Sequence, residues 1–154
     1  MECSGETNYV NSINSVDRAS TLSPALSRGF VAAGLANIVG ILVCSMGFTN
    51  ALLTSLSPVV FSVFGMLSII LWGLAYLGAA RSYRQVPYLI VVFAIEKLVY
   101  VITWIMWLTQ SGQTLPQLFV QSPLTAIFFA LYGLNDLVFG VFFAIVATKT
   151  LRDA

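Results

Sequence analysis

"FAIEKLVYVITWIMWL", residues Phe93–Leu108, is apolar almost throughout, yet Glu96 and Lys97 stand side by side within it. With its flanks the run reaches the roughly 20 apolar residues that a helix needs to cross a bilayer. Lipid offers the backbone no hydrogen-bond partner, so a segment of this kind must be helical. The two charges are then the difficulty. An unpaired charge at that depth costs at least about 2.5–3.5 kcal/mol on insertion scales. The stretch therefore predicts a transmembrane helix that has partners for its charges on other helices.

The rest of the chain repeats the pattern. Of 154 residues, 58% are hydrophobic and 8% charged, against about 25% charged in a soluble domain. Four apolar runs, at about 29–48, 58–80, 86–109 and 122–147, predict an all-α, four-transmembrane-helix bundle. Pro58, Pro87 and Pro123 suit the first turns of the last three, where a missing N–H costs nothing. Residues 1–27 are rich in Ser and Asn and read as a polar tail, flexible or lying on the membrane surface. "SPAL" at Ser23–Leu26 could open a short interfacial helix. A single membrane domain, about 28–148, is expected to end in a short tail from Lys149.

Of the seven Lys and Arg residues, all but Lys97 flank the runs on one side: Arg18, Arg28, Arg81, Arg84, Lys149 and Arg152. The loops at about 49–57 and 110–121 carry no charge. The positive-inside rule then places both termini in the cytoplasm. A formal net charge of +1 gives no field for nucleic acid. With no histidine, relays and metal centres that depend on imidazole are excluded, and no metal or cofactor is expected. Cys3 and Cys44 lie in different environments, so a disulfide is not expected.

Depth counting brings polar groups to one level. Lys97 lies about 15 Å from the start of its helix, Asp136 about 16 Å from the end of its own and Asn37 about 13 Å into the first, with Trp72 at a similar level. Adjacent residues on a helix point about 100° apart, so Glu96 and Lys97 cannot satisfy one another. Lys97 is expected to pair with Asp136, with Asn37 and Asn135 supplying hydrogen bonds. Glu96 is left as an extra acid. Tyr100 and Tyr132, each one turn from a charge, could join, and Trp104 could line a cavity above the layer. The competing reading is a buried network that only fixes helix register. Trp107 reads as an interfacial anchor. Arg81 and Arg84 could meet anionic lipid headgroups. "LWGLAYL" (Leu71–Leu77) and "LYGLNDL" (Leu131–Leu137) form a faint repeat, although Leu and Gly are common enough in such helices for chance to produce it.

"GLAYLGAARSYRQVP" leading into "FAIEKLVY", together with "LYGLNDLVFG", gives residues 29–147 an architecture that resembles DoxX-like and related small bacterial membrane proteins. That resemblance implies four spans in a bacterial inner membrane and no particular chemistry. A second similarity, at the level of fold only, is to the four-span sterol isomerase and sigma-2 receptor group, with intramembrane acids in a lipid-facing pocket. The leading expectation is a protein that binds a lipid-like or small apolar ligand within the bundle. The alternative is an accessory subunit, acting through a membrane-protein partner or a homo-oligomer. A proton pathway ranks below these because no charged residue continues a relay outward, and an intramembrane enzyme with Glu96 as proton donor because the sequence shows no recognised substrate pocket.

Overall fold

A computed structural model describes residues 23–153. The expectations placed on residues 1–22, among them Cys3, Arg18 and most of the polar tail, lie outside the described residues. The elements are α1 (Pro24–Cys44), α2 (Ala51–Leu56), α3 (Val63–Ala79), α4 (Pro87–Ser111), α5 (Leu115–Gln121) and α6 (Pro123–Arg152), with no strand among the described residues. Three stretches are long and apolar enough to cross a membrane: α1, the run Pro87–Gln121 that holds α4 and α5, and α6. The fourth apolar helix, α3, is shorter, at 17 residues.

The helix limits depart from the hydropathy limits for local reasons. Pro24 starts α1 inside the expected tail, so Ser23–Leu26 open the long helix and form no separate one. The helix stops at Cys44 because Met46, Gly47 and Phe48 all take positive φ, at 50°, 64° and 71°. The Gly47 and Met46 N–H groups then close back on the Leu42 and Val43 carbonyls at 2.9 and 3.1 Å, a left-handed helix cap. Pro58 opens no span. It starts an isolated turn, and α3 begins only at Val63, with Ser62 Oγ accepting from the Gly65 N–H at 3.0 Å. Pro87 and Pro123 do occupy first turns. The last helix, α6, runs on to Arg152, through the residues expected to form a tail.

Contacts pair Gly34 with Gly73, Lys97 with Asp136, and Phe30 with Phe143. Each pair runs in opposite senses, so α1, α3, α4 and α6 alternate in direction. Ser23 and the turn after α3 share one end, where the Ser23 N–H donates to Tyr83 Oη at 3.0 Å. This is called the terminal end; α2 and α5 close the other, the loop end. There Asn50 Nδ2 donates to both Cys44 O and Thr125 Oγ1, at 2.9 and 3.0 Å, tying the end of α1 to the start of α6.

Two apolar clusters fill the interior. Phe30, Tyr76, Tyr83, Phe93 and Phe143 pack the terminal end. Phe61, Met66, Trp107, Leu118 and Phe129 pack the loop end. The polar layer lies between them. Trp107, expected as an anchor, is buried in the second cluster: its ring lies 4.3 Å from that of Phe129 and its Nε1 donates to Leu56 O.

The two similar heptapeptides take matching places. A Cβ on Gly73 would lie 2.9 Å from Gly34 O, and one on Gly133 would strike the Trp104 ring. In each case the preceding long helix sends a donor to the carbonyl four residues before the glycine: Asn37 Nδ2 to Ile69 O at 3.4 Å, and Trp104 Nε1 to Phe129 O at 2.8 Å. A Cβ tilts toward its helix N-terminus. A glycine four residues on therefore leaves such a carbonyl uncovered.

Candidate functional site

Lys97 is 1% exposed, and three helices supply its surroundings. Its ammonium donates to Asp136 Oδ1 on α6 at 2.6 Å and to Asn37 Oδ1 on α1 at 2.9 Å. Glu96 Oε2 lies at 4.0 Å and the Tyr76 ring centroid at 5.4 Å. Asn37 is itself fixed by its bond to Ile69 O on α3. The expected Lys97–Asp136 pair and the Asn37 contact are both present.

Glu96 is not without a partner. Tyr76 Oη on α3 donates to its Oε2, an interaction the depth count missed. Side chains lean toward the start of their own helix, and α3 and α4 run in opposite directions. Tyr76 and Glu96 therefore lean toward each other across a difference in backbone depth. The Tyr76 ring is held at 4.7 Å from Phe93 and 4.8 Å from Phe143. Among the described residues, two buried polar atoms in the region lack a hydrogen bond: Glu96 Oε1 and Tyr132 Oη.

Beside the cluster is a cavity of about 60 Å³, lined by Asn37, Glu96, Lys97, Tyr100, Tyr132 and Asp136 among others. Tyr100 and Tyr132 reach this cavity without hydrogen-bonding either acid, contrary to expectation. Tyr132 stacks instead on Phe128, with centroids 5.3 Å apart. Asn135 is exposed at the cavity edge and gives Lys97 no hydrogen bond. It is the neighbour of Asp136 on one helix, so when Asp136 faces the ammonium Asn135 turns away by about 100°. Trp104 sits on Gly133 with its N–H satisfied, outside the cavity. Trp72 stands edge-on to Phe93 and faces a different space.

That space is a groove of about 830 Å³ along the outer surface between α3 and α4, in their loop-end halves. Its walls include Phe64, Trp72, Val92 and Val99, and at its mouth lie Ser57, Gln110 and Ser111. Glu96 and Tyr100 line both the groove and the small cavity. Arg81 and Arg84 stand in the turn between α3 and α4, outside the layer. Comparison of the chain with protein-family models, with curated proteins and with solved structures finds no match.

Proposed function

We propose that the chain is an integral membrane protein of the bacterial inner membrane, crossing it four times with both termini in the cytoplasm, and that it binds a small lipid-like ligand at Glu96. Long apolar helices support the crossing. So do the large apolar side chains they turn outward, such as Leu71, Val99 and Val138. Orientation follows from the six flanking cations. The architecture expected from DoxX-like proteins belongs to the same proposal.

One observation carries the binding reading. Glu96 Oε1 is buried and has no hydrogen bond among the described residues, and Glu96 lines both the cavity and the groove. A register-fixing network would gain from satisfying every member, because an unpaired buried acceptor costs about 1–3 kcal/mol. A ligand that donates there removes the cost. Native mass spectrometry of gently solubilised protein tests this. A reproducible small bound mass, lost in Glu96→Leu, which offers no polar partner, is the expected result. Bare protein across mild detergents and lipid nanodiscs would sink the reading.

A second reading, an accessory subunit, rests on another face of α4. There α4 and α6 leave an apolar furrow of about 410 Å³ beside Gly140 and Ala144. Small residues let another helix approach closely. A second protein in fixed ratio in the same spectra would favour it.

A further inference from the structure

We propose that the ligand is an uncharged lipid alcohol, lying in the groove between α3 and α4 with its hydroxyl donating to Glu96 Oε1. The inference rests on the binding reading above and names the class and place of the ligand.

Size excludes the interior. A cavity of about 60 Å³ holds a few waters, each needing about 10–15 Å³ of such space. The groove, at about 830 Å³, falls within the roughly 300–1,000 Å³ of small-molecule sites. It also opens sideways, past the exposed Val59, Phe64 and Val99, so a molecule dissolved in the bilayer can slide in without crossing water. The furrow between α4 and α6, at about 410 Å³, reaches Asp136 but is not lined by Glu96.

Charge selects the head group. Glu96 is the one charged residue among those lining the groove. An anionic head would meet the carboxylate in a groove that no cation lines. An ammonium would come close to Lys97, whose Nζ is already 4.0 Å from Glu96 Oε2. A neutral donor meets neither repulsion. Tyr76 occupies Oε2, so one acceptor remains and one hydroxyl satisfies it. The walls are mostly apolar and aromatic, and the Ser68 and Thr103 hydroxyls among them already donate to the Phe64 and Val99 carbonyls, which suits a hydrocarbon body rather than a sugar or peptide.

The test uses the full chain in phosphatidylcholine vesicles and three photoreactive probes: hexadecanol with a mid-chain diazirine, its methyl ether, and the matching alkyl sulfate. The alcohol is expected to label groove residues saturably, with the ether and the sulfate weaker by about tenfold, the effect of one lost hydrogen bond to a buried acceptor. In Glu96→Gln the amide carbonyl stays with the Tyr76 hydroxyl and the amide N–H turns to the groove. The ether can then accept a hydrogen bond, and the alcohol-to-ether ratio should fall toward one. Val99→Trp fills the groove without touching the ionic cluster and should abolish saturable labelling. Equal labelling by all three probes overturns the alcohol assignment while leaving a ligand site. Alcohol labelling confined to the α4–α6 furrow overturns the location. Saturable labelling by none of the three overturns both this inference and the binding reading.

Discussion

Removing the Lys97 ammonium leaves Asp136 buried against an amide oxygen, with Glu96 nearby and no cation to balance either. Lys97→Met should therefore destabilise the protein by about 3–5 kcal/mol, the usual result of breaking a buried pair from one side. The double variant Lys97→Met/Asp136→Leu removes both charges and should recover most of that loss. Unfolding midpoints in mixed micelles measure the cycle, and a single variant as stable as the wild type would refute the pairing's role. Tyr76→Phe keeps the ring between Phe93 and Phe143 but leaves both Glu96 oxygens bare. It should cost about 1–3 kcal/mol by the same measurement. The charged members of this cluster were legible in sequence because each stands out in an apolar run and helix rise gives its depth. Tyr76 was not. Its ring counts as apolar, and its backbone lies a turn nearer the terminal end than the layer. Only the lean of two antiparallel helices brings its hydroxyl to Glu96. Asn135 failed for the complementary reason: depth was right, but direction around the helix was not weighed.

At the scale of the element, the contact between α1 and α3 depends on two glycines facing each other. A Cβ on Gly34 would lie 2.7 Å from Gly73 O, a backbone atom that cannot turn aside. Gly34→Ala should push the helices apart at a cost of about 1–3 kcal/mol. Gly78→Ala, in α3 itself, meets nothing within 4 Å. It should be neutral or stabilising by up to about 1 kcal/mol through helix propensity. Equal effects of the two in a thermal unfolding series would show that close approach does not hold this pair together. The long helices could be read from hydropathy because lipid demands helix wherever the run is long enough. Hydropathy says nothing of where a helix ends inside an apolar run. The left-handed turn at Met46–Phe48, the isolated turn after Pro58, and the short α2 and α5 all sit in uncharged sequence that continues the apolar pattern. Ser62 was the local cap that Pro58 obscured.

The whole molecule has its large apolar side chains outside, among them Phe64 at 81% exposure and Val120 at 87%, and its charged cluster inside. That arrangement is stable only with hydrocarbon around it, and it leaves orientation to the ends of the helices. Arg28, Arg81, Arg84, Lys149 and Arg152 all lie at the terminal end among the described residues, whereas the loop end between α1 and α3 and between α4 and α6 carries no charge. Basic residues near span ends are retained on the cytoplasmic side during insertion. The terminal end should therefore face the cytoplasm. Single-cysteine variants in a background without Cys3 and Cys44 test this with a membrane-impermeant maleimide applied to intact spheroplasts. Ser55→Cys, exposed on α2, should react at once, and Asp153→Cys, exposed after α6, should react only after lysis. The reverse order would invert the molecule. The α3–α4 groove, which opens in the loop-end halves, would then face the cytoplasmic leaflet, and its ligand would have to be sought there.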